Sequence, residues 1–340
     1  MPDNGLVAIG PYRMANRAFL APMAGITDLP FRRMALRFGA GLVVSEMIAS
    51  EWLAEGDAAA QLRAEGEGAG VHVVQLAGCE PRWLAEGARI AESAGAQIID
   101  INMGCPAKRV TAGEAGAALL RDPDQALRLI ETVVGAVRVP VTVKMRLGWD
   151  ARSIVAPEVA RRAEAAGIAA ISVHGRTRAQ FYDGKSDWSA IGRVKANVDI
   201  PLVANGDLCS YDDALAMREV SGADAVMIGR AARGRPWFVG QIGHFLATGE
   251  KRADPTLAVQ RDVLIELHEA WLAHYGRARG LREARKHIGW ALEAAAGHCV
   301  EIARSWAKEW RARLLVEMEP ARIARGIRDA FDEFGWKVAA

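Results

Sequence analysis

A thiol stands between a glycine and a proline at Gly104-Cys105-Pro106, just beyond the aliphatic run Ile98 to Ile101. The run reads as a buried strand that ends at Asn102, and the loop after it carries two cations, Lys108 and Arg109. Structural cysteines are mostly buried in cores. A cysteine held in a stiff loop past a strand is either tucked beneath that loop or placed to give or take a proton. Other apolar runs end on polar or glycine-rich residues: Gln75, Lys144, His174, Asn205-Gly206-Asp207 and Gly229-Arg230. Such groups can bind an anion, donate to a polar ring edge or stabilise a developing negative charge.

Elements must bring these residues to one place. Short apolar runs begin near Phe19, Leu42, Val71, Gln97, Val141, Ala170, Pro201 and Ala225, and segments of helical period separate them. Asp28 and Pro30 mark one helix start; Pro81 and Pro123 open others. Eight strands alternating with eight helices up to Arg230 predict an α/β fold of the (β/α)8 TIM-barrel class. A doubly wound sheet is the competitor, but no Gly-x-Gly-x-x-Gly follows the first strand. In a barrel the strand C-termini form one face, and that face carries the site. Gln75, Asn102, Lys144, His174, Asn205 and Gly229-Arg230 fall at or just after those ends. From Thr256 to Phe334 the period is helical throughout, and glycines at 276, 280, 289, 297 and 326 with Pro320 divide it into about four helices. The expected division is a catalytic barrel over residues 1–247 and a small all-helical domain over 248–340.

In such a barrel, a phosphate commonly binds the loops after strands seven and eight. Here those loops are Asn205-Gly206-Asp207 and Gly229-Arg230, in which glycine lets the backbone approach and arginine adds charge. Lys144 at a strand end would point into the mouth. A fixed lysine stabilises the negative charge of a reduced flavin, and Gln75 can hydrogen-bond the opposite edge of the ring. Pro22, Met23 and Ala24 can floor that ring, and His174 can fix its ribityl or phosphate oxygens. One ring and one phosphate suit FMN. A phosphosugar in an aldolase-type barrel, with Lys144 as Schiff-base former, suits the same residues.

Composition narrows the class further. The chain has 340 residues, 51% apolar and 25% charged, which is ordinary for a globular protein. Its net charge of +2 is uneven: residues 251–340 hold 16 Lys and Arg against 13 Asp and Glu, which leaves 27 against 28 of the total 43 and 41 for the rest. The excess on the C-terminal part hints at an anionic partner. Cys79, Cys105, Cys209 and Cys299 form no Cys-x-x-Cys pair, so neither a metal site nor a disulfide scaffold is expected. The N-terminus has no basic and apolar leader, and no stretch approaches a membrane span. A cytoplasmic protein without membrane attachment is expected.

Five stretches together resemble the tRNA-dihydrouridine synthases, most nearly their bacterial DusB subfamily. They are Ala21-Pro22-Met23-Ala24-Gly25-Ile26-Thr27-Asp28, Ile101-Asn102-Met103-Gly104-Cys105-Pro106, Val143-Lys144-Met145-Arg146, His174-Gly175-Arg176-Thr177-Arg178 and Asn205-Gly206-Asp207. The resemblance implies an FMN enzyme that reduces the C5=C6 bond of D-loop uridines in tRNA to 5,6-dihydrouridine, with NADPH as reductant. Hydride would pass from flavin N5 to C6, and Cys105 would give the proton to C5. It places FMN contacts on Pro22, Met23, Ala24, Gln75, Lys144, His174, Asn205, Gly206, Asp207, Gly229 and Arg230. Asn102 and Arg178 match positions that hold the flipped-out uracil. A thiol is largely protonated at neutral pH and so is a competent acid. The chain is expected to act as a monomer.

That resemblance gives the tail a task. Arg277, Arg279, Arg282, Arg285 and Lys286 lie close together with only Glu283 opposing. They are expected to track tRNA phosphates, with Lys108, Arg109 and Arg176 as further candidates at the barrel rim. Trp271, Trp290, Trp306 and Trp310 recur at helical spacing and are expected in the bundle core. Besides the lyase reading, a non-catalytic RNA-binding protein on the same fold is the remaining alternative.

Overall fold

The computed structural model describes residues 7–297 and 301–339; Cys299 and the extreme N-terminus lie outside them. Eight parallel strands make the frame. They are β1 (Ala18–Leu20), β2 in two pieces (Leu42–Val43 and Ile48–Ala49), β3 (Val73–Ala77), β4 (Ile98–Met103), β5 (Val141–Arg146), β6 (Ala170–His174), β7 (Leu202–Asn205) and β8 (Ala225–Ile228). The two pieces of β2 stand at opposite ends of the sheet order, with β1 beside the first piece and β3 beside the second. Since both pieces belong to one chain segment, the sheet closes on itself as a barrel. The break in β2 has a local cause. Ser45 Oγ accepts the Gln75 N–H at 2.9 Å and donates to the Glu46 carbonyl, so a side chain replaces a ladder bond.

Several strands run further than the apolar runs suggested. β4 continues through Met103, so Asn102 lies within the strand and not after it. His174 and Asn205 are the last residues of β6 and β7, and Gln75 and Lys144 sit inside β3 and β5. Polar residues continue these strands because their side chains find partners inside the barrel. Helices pack outside. Asp28 caps Leu29–Arg37 by accepting the Phe31 N–H at 3.1 Å, with Pro30 in the first turn as expected. Asp187 and Ser210 cap the helices Trp188–Lys195 and Tyr211–Ser221 in the same way.

A short hairpin, Ala8–Ile9 with Tyr12–Arg13, precedes the barrel and was not foreseen from the sequence. Its neighbours Val7, Ile9 and Met14 join Phe19, Leu42, Val73, Ile98, Ala170, Val203 and Ala225 in one buried cluster. Those barrel residues stand at strand beginnings, so the hairpin plugs the end opposite the candidate site. Each large aliphatic side chain buried there contributes about 1.5–3 kcal/mol.

The chain divides into two compact units: residues 1–231 with 239–251, and residues 232–238 with 252–340. The second unit is all-helical. The helical stretch Leu257–Ala296 breaks at Gly276, and Glu301–Leu314 and Pro320–Ala339 follow, giving four helical segments among its described residues from 257 on. Gly280 ends nothing: a Cβ there would stand 2.6 Å from the Trp271 carbonyl, so the glycine serves close packing. Trp271, Trp306 and Trp310 are buried, as expected for core residues, while Trp290 is half-buried. Trp306 stacks on Phe334 with ring centroids 4.2 Å apart and donates to the Ala330 carbonyl at 2.9 Å. No described helix is long and apolar enough to cross a membrane.

Candidate active site

Strand pairing places the polar residues in three cross-strand rows. Gln75, Asp100 and Thr142 are register partners on β3, β4 and β5. Asn102, Lys144 and Ser172 form the next row, and Arg146, His174 and Asn205 the third. Alternate residues of a strand face one side, so 100 and 102 point inward together, as do 142, 144 and 146. The rows climb toward the strand C-termini.

The first row holds a buried carboxylate that sequence reading did not single out. Asp100 Oδ1 accepts from Thr142 Oγ1 at 2.6 Å, and its Oδ2 accepts from Gln75 Nε2 at 2.7 Å. Burial pushes its carboxyl up; the bonds from Gln75 and Thr142 and the charge of Lys144 only partly offset this. Gln75 Oε1 in turn accepts from Asn102 Nδ2 at 2.8 Å. Asn102 Oδ1 accepts the N–H groups of Gly104 at 3.2 Å and Cys105 at 2.9 Å.

Cys105 is a free, half-buried thiol at the strand end. Its carbonyl accepts the Ala117 N–H at 3.1 Å. Gly116 has φ +62°, and a Cβ there would stand 2.9 Å from that carbonyl oxygen, so only glycine fits. The thiol loop is therefore held on both sides. Lys108 and Arg109 are exposed on the short helix Lys108–Thr111 that follows.

Lys144 and His174 share one electrostatic environment. Lys144 Nζ donates to Asn205 Oδ1 at 3.1 Å, and Asn205 Nδ2 is anchored on the Met227 carbonyl at 2.8 Å. Burial and the neighbouring Arg146 push Lys144 down to about 8, against the opposing pull of Asp100 and Cys105. Burial first, then Lys144, Arg146, Arg176 and Arg230, push His174 down to about 2. His174 is therefore a neutral imidazole. The Arg176 guanidinium lies 3.3 Å from its Nε2, which makes Nε2 the acceptor and leaves the proton on Nδ1.

Two buried arginines hold the loop after β6. Arg146 donates to the carbonyls of Gly104 at 2.9 Å, Thr177 at 2.8 Å and Phe181 at 2.7 Å, so it ties the thiol loop to the 177–186 segment. Arg176 is 1% exposed and is not a rim cation. Its guanidinium grips Asp207 at 2.9 and 2.5 Å and bonds the Asp183 and Gly184 carbonyls. That placement corrects the expectation of a phosphate contact by Arg176, because its donors are already engaged. Arg230, half-exposed, also reaches Asp207, at 3.2 Å. Burial pushes the Asp207 carboxyl up, but the Arg176 hydrogen bonds, the Ser186 N–H and both guanidinium charges outweigh it and hold it below the usual range. The carboxylate thus organises arginines.

The loops after β1 and β8 meet because those strands pair. Pro22 and Met23 are half-buried and Ala24 is exposed, and a Cβ on Gly229 would lie 3.6 Å from Met23 Sδ, in ordinary contact. Gly206 is tighter. Its φ is +123°, and a Cβ there would stand 2.3 Å from Ser186 Oγ and 2.8 Å from His174 Cδ2. Gly206→Ala is expected to cost about 1–3 kcal/mol of stability and to weaken anion binding at this loop; thermal melts and phosphate or FMN titration check it.

The remaining candidates stand further apart. Arg178 is half-buried with its guanidinium 4.6 Å from the Trp149 ring centroid. In the helical unit Arg282 is exposed, but Arg285 turns to Met318 Sδ at 2.9 Å and Lys286 pairs with Glu283. Arg285 and Lys286 are thus partly committed within their own unit. Sequence reading missed Asp100, Thr142 and Arg146. The signal was present: each is polar, two residues from another polar residue, inside an apolar run.

Comparison with known proteins gives the family. The family model described as Dihydrouridine synthase (Dus) matches residues 19–314. A "Probable tRNA-dihydrouridine synthase" of Rhodobacter capsulatus is 51% identical over 332 residues, covering 96% of this chain and 98% of that one. A "tRNA-dihydrouridine synthase B" of Xanthomonas axonopodis pv. citri is 51% identical over 283 residues, covering 83% and 85%. Among solved structures, an old yellow enzyme homologue from Zymomonas mobilis superposes with a TM-score of 0.51 at 15% identity, covering 75% of this chain and 94% of that one, a likeness of fold. With most of its length matched by the family model and half its residues shared with relatives across nearly their whole length, the chain belongs to the dihydrouridine synthase family.

Proposed function

We propose that this protein reduces the C5=C6 bond of D-loop uridines in tRNA to 5,6-dihydrouridine, with FMN as cofactor and NADPH as reductant. The observation that carries the reading is the placement of Cys105. The thiol is fixed by Asn102 and Gly116 at the same barrel end as Lys144, His174 and the Gly206 loop.

The residues present suit a flat anionic cofactor. Lys144 supplies a positive charge, Gly206 and Gly229 leave the backbone open, and Ser186 Oγ is buried beside Gly206 with no hydrogen-bond partner. Met23 and Pro22 offer apolar contact, and neutral His174 offers one donor and one acceptor. When bound and recharged by NADPH, FMN supplies a hydride to C6 of the uracil ring. Cys105 supplies the proton to C5, so one hydride and one proton saturate the bond. Asn102 and Arg178 hold the uracil, which leaves its stack to reach the mouth. The exposed cations Lys108 and Arg109 on the barrel and Arg282 on the helical unit take phosphates.

The purified protein is expected to be yellow, with absorption near ~450 nm that NADPH bleaches. Protein that stays colourless and takes up no FMN would sink the reading. Lys144 gives a pH test. It is cationic below about 8 and loses its charge as pH rises through that value. A bound anion raises the value, so bleaching by NADPH should slow at or above about 8. Lys144→Met should remove the inflection, and a rate that climbs through this range contradicts the assignment. A lowered lysine also suits a Schiff-base lyase. Borohydride trapping of a phosphosugar on Lys144 would favour that second reading.

A further inference from the structure

We propose that Asp100 is a positioning residue for the Cys105 acid, acting through the side chains of Gln75 and Asn102. The inference rests on the function proposed above. Its basis is the direction of four consecutive hydrogen bonds.

Both Asp100 oxygens accept, one from Thr142 Oγ1 and one from Gln75 Nε2, so Gln75 turns Nε2 toward Asp100 and Oε1 toward Asn102. An amide oxygen only accepts, so Asn102 must turn Nδ2 toward Gln75. That leaves Asn102 Oδ1 for the N–H groups of Gly104 and Cys105, which only donate. Both ends of the chain demand the same order. An amide side chain has two nearly isosteric orientations, and here the carboxylate selects one of them twice over. Asp100, Gln75 and Asn102 are all buried, so no water competes for these bonds. Thr142 completes the anchor by donating to the other carboxylate oxygen at 2.6 Å.

Loss of the acceptor at 100 therefore releases Gln75 Nε2 without a partner and lets both amides turn. The Cys105 N–H then loses its fixed acceptor and the thiol loop shifts. Displacements of about 1 Å far from the reacting atoms cost ~10²-fold in rate. Asp100→Asn keeps an acceptor facing Gln75, because the Thr142 hydroxyl can reverse and accept from the new amide.

The test uses the FMN-loaded protein and its Asp100→Leu and Asp100→Asn variants. Three quantities are read: flavin bleaching by NADPH, single-turnover reduction of tRNA, and the rate of iodoacetamide labelling at the Cys105 peptide. For Asp100→Leu, Cys105 labelling should speed up, and tRNA reduction should fall by ~10–10²-fold, clearly more than bleaching does. Asp100→Asn should restore all three. Equal falls in both half-reactions, or unchanged tRNA reduction and labelling in Asp100→Leu, overturn the proposal. If Asp100→Leu does not fold, Thr142→Val reads the same anchor: faster Cys105 labelling supports it and unchanged labelling overturns it. Labelling needs no turnover. An unmodified protein that reduces no tRNA would refute the proposed function, while the labelling pattern would still decide the role of Asp100.

Discussion

Replacing Cys105 with alanine is expected to lower tRNA uridine reduction by ~10²–10⁴-fold while NADPH still bleaches the flavin at nearly the native rate. The two half-reactions separate because they use different residues. In the proposed function Lys144, His174 and the Gly206 loop hold the cofactor; Lys144 bonds Asn205, and His174 meets Arg176. Alanine keeps the loop: Asn102 and Gly116 clasp the main chain at 105, which the substitution leaves in place. What the proposed function then loses is the proton for C5. Stopped-flow bleaching followed by single-turnover reduction of tRNA measures both steps. Parallel loss of bleaching would mean that the thiol supports cofactor binding instead.

Asp207→Asn should lower stability by about 2–3 kcal/mol, because it strips the charge partner from a buried arginine. Arg176 is 1% exposed, and breaking a buried pair usually costs ~3–5 kcal/mol. The Asp207 side chain is 29% exposed and Arg176 keeps two carbonyl partners, which lowers the figure. Asparagine tolerates the left-handed backbone at this position, where φ is 58°, so the change isolates charge from backbone strain. A fall of ~4–12 °C in Tm is expected. The sign with pH follows from the depressed carboxyl: the native pair's contribution is complete above the ordinary carboxylate range and is lost as pH falls through the lowered value. The Tm difference between native protein and variant should therefore shrink in acid. A constant difference from neutral pH to strong acid would remove the ion pair from the account.

Much of this architecture was legible. Eight apolar runs with helical segments between them became eight barrel strands, and Cys105, Lys144, His174 and Gly206 stand together at the strand C-termini. That followed because strand ends are marked by glycine and polar residues whatever the tertiary detail. The misses share a different cause, since each depends on a partner remote in sequence. The break in β2 turns on Ser45 meeting Gln75, 30 residues away. Arg176 reads locally as a rim cation, and only Asp207, 31 residues on, draws it inside. Asp100 was passed over inside Ile98 to Ile101 because its bonds lie on two other strands. In the helical unit, Arg285 looks like a free cation until Met318, 33 residues on, is in place.

The central claim is that this chain makes dihydrouridine in the D-loop of tRNA, and dihydrouridine mapping of tRNA from cells lacking its gene tests that most directly. One or more D-loop positions should carry plain uridine, regaining dihydrouridine with the native gene and not with Cys105→Ala. An unchanged dihydrouridine pattern in the deletion would contradict the account.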